Sequence, residues 1–331
     1  MEIKETVGID VGKATLDVCV HSTGTQNKFN NDSKGFRGLV DWALKESPFP
    51  KKTVLFVFEH TGLYSHALSD FFASQHLPHH IVPGLEIKRS LGIARGKSDR
   101  VDAKRIALYA YRLKEEIQPS KISDLQIRKL KAMFSLRSKM ARQRAGYRTT
   151  LKEQKSVLKN KDYKVLFDVQ NSMVETISRK IRKLEDQMMA VVNADKKLRE
   201  LFGLVTSVKG VGPITALLVI VHTNRFTKFV TWRKFASYCG VAPFPYQSGT
   251  SIRGRSKVSH FANKELKGIL NMCATAAIQY NPEMKSYYER RTEEGKNRMS
   301  TINIIRNKLI ARMFTAVNRR TPYVSVYGHN S

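Results

Sequence analysis

The sequence is poor in cysteine and contains no long apolar segment. Its three cysteines, Cys19, Cys239 and Cys273, are too few and too far apart for a disulfide framework or a cysteine-rich zinc site. No run of about 18 apolar residues is present to cross a membrane, and the first residues lack the pattern of a secretion signal. These absences predict a protein of the reducing cytoplasm that does not span a membrane.

Acidic residues are also scarce. The 331 residues include 28 acids against 58 lysines and arginines, which gives a formal net charge of +30. Such an excess strains a compact state by self-repulsion unless a polyanion neutralises it. Because 41% of the residues are apolar, the chain can still form packed cores, and its length predicts about two domains. Nucleic acid is the expected partner, with an anionic membrane surface as the less favoured alternative, so we expect the protein to associate with the nucleoid.

The first 90 residues have the pattern of an α/β layer. Short segments of alternating apolar residues are followed by an amphipathic stretch, and later by a continuous apolar run typical of a buried strand. The predicted elements are strands at 7–11, 16–20 and 28–30, a helix around 36–43, a strand at 53–58, a helix at 65–74 and a strand at 80–82. Three early strands followed by alternating helix and strand predict a mixed sheet.

The middle of the chain, residues 124–202, has almost no proline or glycine and predicts two long helices joined near residues 160–162. In residues 126–161 the basic residues far outnumber the one acid, Glu153, so ion pairs within this helix cannot balance its charge. A solvated charged face is the ordinary interpretation. A face that follows nucleic-acid phosphates is the favoured one, since solvated faces usually mix both signs.

The last region is helical with glycine-rich interruptions. A Gly210-Val-Gly212-Pro213 turn precedes an apolar helix, and a loop rich in serine, glycine and arginine is predicted at 247–259. We therefore divide the chain into residues 1–120, 121–202 and 203–331.

Four acidic residues stand at the ends of these elements. Asp10 lies where an apolar strand meets a turn, Glu59 follows a buried run, and Asp99 and Asp102 would share one helix face. Each alone has an ordinary explanation as a turn, strand-end or capping residue. Together, clustered carboxylates repel one another unless divalent cations bind, and two such ions about 4 Å apart can clamp a scissile phosphate. Basic residues nearby would hold the nucleic-acid backbone: Lys97, Arg100, Lys104 and Arg105.

Several segments resemble the IS110-type transposases, a family that includes the Piv-like DNA invertases. They are GIDVGKATLDV at 8–18, EHTGLY at 59–64, RGKSDRVDAKRIA at 95–107, SVKGVGPITALLVI at 207–220 and RFTKFVTWRKFASYCGVAPFPYQSGTSIRGRSK at 225–257. The resemblance covers nearly the whole chain in the expected order. It implies an α/β plus α architecture: a RuvC-like, RNase H-type domain, a coiled-coil helical hairpin and a mostly helical C-terminal transposase domain.

The resemblance also implies the catalytic residues. It assigns a Mg²⁺ site, with Mn²⁺ as an alternative, to Asp10, Glu59, Asp99 and Asp102. His60 departs from the small residue that the family more often has after the glutamate.

The resemblance further implies that Ser248 attacks the DNA phosphodiester and forms a transient phosphoserine. A serine before glycine is usually only a turn residue, and Ser251, Ser256 and Ser259 are close competitors. Three basic residues would neutralise the phosphate: Arg253, Arg255 and Lys257. His260 is the one nearby base, so the acids of the other domain, or of a neighbouring subunit, would have to activate the serine.

Further binding residues come from the turn at 210–213 and from the charge of the basic helix. Gly210 and Gly212 resemble a helix-hairpin-helix turn that contacts phosphates, and a tight helix connection is an equally good interpretation. Four arginines of the basic helix would contact DNA or RNA backbones: Arg137, Arg142, Arg144 and Arg148. The resemblance implies donor and target DNA duplexes, an element-encoded guide RNA and a homodimer or homotetramer assembled through the hairpin.

Three alternatives remain open. A RuvC-like nuclease would use the acids alone, and a Piv-like invertase would act at fixed sites without guide RNA. An architectural or RNA-binding protein would need only the basic surface.

Overall fold

The computed structural model describes residues 2–90, 99–120, 124–158, 161–248 and 252–324. Within these ranges, six side chains lie outside the description: Asp99, Lys161, Ser248, Ile252, Arg253 and Arg255. The chain divides into two compact units, Met1–Ile122 and Ser123–Ser331. None of the helices in the described ranges combines the length and apolar character that a membrane span requires.

The first unit is built on a five-stranded sheet. Its strands are β1 (Glu5–Val11), β2 (Thr15–Val20), β3 (Gln26–Asn30), β4 (Val54–Glu59) and β5 (His79–Val82), in the order β3-β2-β1-β4-β5. The first three strands pair antiparallel, whereas β4 is parallel to both β1 and β5. The predicted mixed sheet is therefore confirmed.

Helices cover both faces of this sheet. They are α1 (Ser33–Glu46), α2 (His66–Ser74), α3 (Gly84–Ser90) and α4 (Asp99–Arg112). The side chain of Asp32 caps α1 by accepting a hydrogen bond from the Gly35 amide at 2.7 Å. The apolar residues of α1 and α2 form one core with Val7, Ile9 and Phe56, while α4 packs on the opposite face of the sheet.

Glycine at position 8 allows α4 to lie directly on β1. A Cβ atom at this position would overlap the Ala103 carbonyl oxygen and the Ala107 amide nitrogen. We expect Gly8→Val to lower the free energy of unfolding by about 3 kcal/mol, because α4 would have to move away from the sheet. Urea unfolding followed by circular dichroism measures the change. Gly146→Ala, in open space on a helix, is the control; equal midpoints for the two variants would contradict this account.

The second unit begins with the two long helices that the sequence predicts, α5 (Leu125–Val157) and α6 (Lys164–Ala194). They run antiparallel, because Arg137 contacts Glu185 near one end and Gln154 contacts Gln170 near the other. A short 3₁₀ turn, Lys161–Tyr163, precedes α6. The first turns of α5 and the last turns of α6 contribute to the main core of this unit.

The remainder of the second unit is mostly helical. Its elements are α7 (Lys196–Thr206), α8 (Pro213–His222), α9 (Trp232–Tyr238), β6 (Pro243–Ser248), β7 (Ile252–Val258), α10 (Lys264–Tyr280), α11 (Pro282–Glu293) and α12 (Arg298–Arg319). The buried helix α8 packs against α10, and α12 completes the core.

The predicted loop at 247–259 needs correction, because most of it is β-structure. β6 and β7 pair antiparallel, with Tyr246 opposite Gly254 and Ser248 opposite Ile252. Tyrosine and isoleucine favour strands, but the described side chains of this pair are largely exposed, and no apolar alternation marks it in the sequence.

Candidate active site

Asp10 and Glu59 lie at the same edge of the sheet. In the parallel pairing of β1 with β4, Ile9 stands opposite Phe58, and the two acids come one residue later in each strand. Both carboxylates are half-buried.

The same two acids also share a face. Ile9 and Phe58 belong to the core beneath α1 and α2, so their neighbours Asp10 and Glu59 project toward the side covered by α4. The pairing register and the strand period therefore bring two sequence-predicted site residues together.

Helix α4 brings its first turn toward this edge. The Thr6 hydroxyl donates to the Ala107 carbonyl at 3.0 Å, whereas Gly8 approaches Ala103, so α4 runs opposite to β1. Its first residues, which include Asp99 and Asp102, are therefore directed to the end of β1 that carries Asp10. The Asp102 carboxylate is half-buried and forms an ion pair with Arg105 at 3.2 Å. The side chain of Asp99 lies outside the described residues.

Gly84, which sequence reasoning missed, makes room for the Glu59 carboxylate. A Cβ atom at position 84 would overlap the Glu59 carboxylate oxygens. The Pro83-Gly84 pair directly after β5 is a turn signal that could have drawn attention to this position.

The neighbouring acid Glu86 has another role, since it accepts a hydrogen bond from the Tyr109 hydroxyl at 2.7 Å. Burial, together with this hydrogen bond, raises the pKa of Tyr109.

The acids at this edge fit a divalent metal by their chemistry. Carboxylate oxygens are the ligands that hard divalent cations prefer. Among the described side chains, however, no three histidine, cysteine or acidic groups stand close enough together to hold an ion. Asp10, Glu59 and Asp102 are all among the described side chains, so the structure does not gather these three carboxylates into one group. The four-acid arrangement stays a prediction, because it also needs Asp99, whose side chain lies outside the described residues.

The predicted nucleophile belongs to the second unit. Ser248 is the last residue of β6, and its side chain lies outside the described residues, as do those of Arg253 and Arg255. Lys257 is exposed on β7, opposite Phe244. His260 is exposed two residues after β7 ends.

A polar cluster that the sequence did not reveal holds the start of β6. The side chains of Asn303 and Asn307 both donate to the Val241 carbonyl, at 2.8 and 2.9 Å. Between them, Arg306 is buried and donates to Asn271 and Asn303. No carboxylate of the described residues forms an ion pair with Arg306, and burial lowers its pKa. In the sequence, these three polar residues interrupt the apolar stripe of α12, and that interruption is the signal that could have revealed the cluster.

The basic helix α5 divides into paired and exposed arginines. Arg137 forms an ion pair with Glu185 of α6 at 2.6 Å, so its charge is balanced from the neighbouring helix. Arg144 donates to the Ser178 hydroxyl at 3.4 Å, whereas Arg142 and Arg148 are exposed. In the first unit, Arg100 is exposed on α4, and Lys97 lies outside the described residues. Phosphate contact by these side chains remains a prediction.

The glycines before α8 have different surroundings. Gly210 has φ +96°, and a Cβ atom there would lie 2.7 Å from the Ala277 Cβ, so packing against α10 explains this glycine. Gly212 caps α8 in open space. Close packing against α10 therefore explains why residue 210 is a glycine. Phosphate contact at Gly212 stays a prediction.

Comparisons with known proteins agree with this organisation. Residues 7–161 match a family model for the DEDD transposase of IS110, and residues 203–289 match the model described as the transposase IS116/IS110/IS902 family. Pilin gene-inverting proteins of Moraxella bovis and Moraxella lacunata are each 28% identical over 326 residues, which cover 97% of this chain and 98% of theirs. The insertion element IS110 43.6 kDa protein of Streptomyces coelicolor is 30% identical over 154 residues, 46% of this chain and 37% of its own length.

These matches define the chain as a DNA recombinase, an enzyme that acts on DNA. The chain belongs to the IS110 family of transposases. Membership in a DEDD-type transposase family indicates dependence on a divalent metal.

Proposed function

We propose that this enzyme transposes an insertion sequence by cutting and rejoining DNA strands with two sets of residues. In the first unit, an RNase H-type domain, Asp10, Glu59, Asp99 and Asp102 would hold Mg²⁺. In the second unit, Ser248 would be the nucleophile. The observation that carries the proposal is the placement of Asp10 and Glu59 on one face, at adjacent ends of parallel strands, with the first turn of α4 directed to the same edge.

The acids of the first unit have a defined task in this proposal. A bound divalent ion supplies positive charge that polarises the scissile phosphate and stabilises the charge developing on its oxygens. Asp10 and Glu59 would hold that charge at the sheet edge, where Gly84 lets the Glu59 carboxylate pack against the backbone. Exposed Arg100 would bind the phosphates on either side.

Ser248 would conserve the energy of the broken phosphodiester bond. Its Oγ forms a bond to phosphorus as it loses its proton, and the bond from phosphorus to the departing DNA oxygen breaks to leave a hydroxyl. A DNA hydroxyl then attacks the phosphoserine, which restores the serine and joins the strands. Arg253, Arg255 and Lys257 would neutralise the phosphate during both steps. The antiparallel pairing of β6 with β7 supports this assignment, because it keeps 248 and 253–257 in one hairpin.

DNA is the partner that the family implies, and we extend this to a guide RNA and a homo-oligomer. The exposed Arg142 and Arg148 of α5 suit a nucleic-acid backbone. On α6, Val165, Val169 and Met173 are exposed at a spacing of four residues, which suits contact with a second copy.

A second candidate is DNA inversion at fixed sites without RNA. The similarity to two pilin gene-inverting proteins over nearly the whole chain favours it.

The two candidates differ in their need for RNA. The enzyme, expressed with the DNA that flanks its gene, is purified and assayed for strand joining with and without ribonuclease treatment. A guide-dependent transposase is expected to lose at least about 100-fold in joining, because base pairing supplies the recognition energy. Adding back the transcribed flanking RNA should restore joining. Undiminished joining after ribonuclease treatment would establish the inversion candidate.

A further inference from the structure

Exposed apolar side chains of the first unit are concentrated around the acidic edge of the sheet. Among the residues described there, five large apolar side chains are strongly exposed: Leu63 at 80%, Leu85 at 49%, Tyr64 at 47%, Val101 at 39% and Tyr111 at 39%. Tyr111 is accounted for, because its ring stacks on His21 with centroids 4.1 Å apart and lies beneath the Lys114 ammonium.

The other four side chains adjoin acidic positions, and we name them the apolar rim: Leu63, Tyr64, Leu85 and Val101. Leu63 and Tyr64 occupy the turn that follows Glu59, and Leu85 follows Gly84, the residue that touches the Glu59 carboxylate. Val101 immediately precedes Asp102 on α4. The residues of the apolar rim are therefore chain neighbours of the acids, or of the glycine that touches one of them, at the edge of the proposed metal site.

The turn that presents Leu63 and Tyr64 is held in place by hydrogen bonds. The Asn31 side-chain amide donates to the Tyr64 carbonyl at 3.1 Å and to the Gly12 carbonyl at 2.9 Å. Gly12 lies two residues after Asp10, so Asn31 ties together the segments that follow the two acid-bearing strands. The Ser65 hydroxyl donates to the Gly62 carbonyl at 3.2 Å within the same turn. Leu63 and Tyr64 are thus exposed on an ordered backbone.

We propose that the apolar rim contacts nucleobases next to the phosphate that is cut. This inference rests on the proposed function, since it assumes that the acids receive the scissile phosphate. Bases are the part of a nucleic acid whose faces suit leucine, valine and tyrosine, and apolar or aromatic side chains commonly stack on bases or separate them where a strand is distorted. A second copy of the chain is a poorer occupant, because the four side chains are divided among a turn and two helices beside the carboxylates assigned to the phosphate and do not form one continuous helical stripe like that of α6.

A photocrosslink from position 64 tests the proposal directly. Tyr64→p-benzoylphenylalanine is introduced into the full chain, which is irradiated with a fluorescent DNA duplex that has a central four-nucleotide single-stranded gap. We expect a DNA adduct at least about ten times more abundant than that formed from Tyr280→p-benzoylphenylalanine. Tyr280 is a suitable control because it is a tyrosine of the second unit with 71% exposure. An adduct with a second copy of the chain, or no excess over the control, would overturn the proposal.

A binding comparison adds a measurement of strength. The double variant Leu63→Ala, Tyr64→Ala is expected to bind the gapped duplex about tenfold more weakly, which corresponds to the loss of roughly one stacked base. On a second duplex, whose gap nucleotides are abasic, the double variant and the wild type should bind with equal affinity. That duplex keeps the phosphates but has no bases for Leu63 and Tyr64 to contact. Equal weakening on both duplexes would refute contact with bases.

Failure of this inference and failure of the proposed function can be told apart, because neither measurement requires strand cleavage. An enzyme that crosslinks through position 64 but never cuts DNA with Mg²⁺ would overturn the proposed function alone. An enzyme that cuts DNA but gives no excess crosslink would overturn only the proposal that the apolar rim contacts bases.

Discussion

Asp10→Asn is expected to reduce metal-dependent DNA cleavage by on the order of 1,000-fold. Asparagine keeps the size and shape of the side chain but removes the negative charge that would hold a divalent ion at the end of β1. Glu59→Gln should have a comparable effect, since its carboxylate lies on the same face at the end of the neighbouring strand. The measurement is single-turnover cleavage of DNA that carries the flanking ends, at increasing Mg²⁺ concentration.

The control for these variants is Asp41→Asn, which removes one exposed charge from α1 and should cleave like the wild type. Circular dichroism verifies that all three variants are folded. Cleavage that stays within about threefold of the wild type in Asp10→Asn and Glu59→Gln would contradict a metal site at these residues. It would leave the basic surface as the functional part of the chain, which is the architectural alternative.

The location of Asp10 and Glu59 could be predicted because it depends on local patterns. Each acid ends an apolar strand, and the strand period of two residues decides which face a side chain occupies. Parallel pairing of the two strands then brings both ends to one edge. The helical spacing of Asp99 and Asp102 was likewise readable, and both residues do belong to α4.

Features that depend on distant parts of the chain could not be predicted in this way. The space around Glu59 depends on Gly84, which the pairing of β5 with β4 brings to it, since Glu59 stands opposite Val82. Arg137 seemed unbalanced because its partner, Glu185, lies on the other helix of the hairpin. The support of β6 by Asn303 and Asn307 joins residues more than 60 positions apart. Such contacts follow from tertiary packing and leave no periodic trace in the sequence.

Ser248→Ala is expected to abolish the covalent protein–DNA adduct and strand joining, a loss on the order of 10,000-fold. Without the hydroxyl, no phosphoserine forms, so the energy of the cleaved bond is not conserved for rejoining. Alanine should not disturb the fold, because Ser248 ends a two-stranded hairpin in which the neighbouring described side chains are largely exposed. The adduct is detected on denaturing gels with labelled DNA, and its position is mapped by mass spectrometry of the modified peptide.

The neighbouring serines supply matched controls for that result. Ser251→Ala, Ser256→Ala and Ser259→Ala each remove one hydroxyl from the same segment and should keep both the adduct and strand joining. A phosphoserine mapped to any of these three would move the nucleophile away from Ser248. Full metal-dependent cleavage by Ser248→Ala, with no adduct from the wild type, would instead mean that the acids alone direct hydrolysis by water. The chain would then carry out nuclease chemistry on a recombinase fold, and the arginines beside Ser248 would serve only to bind DNA.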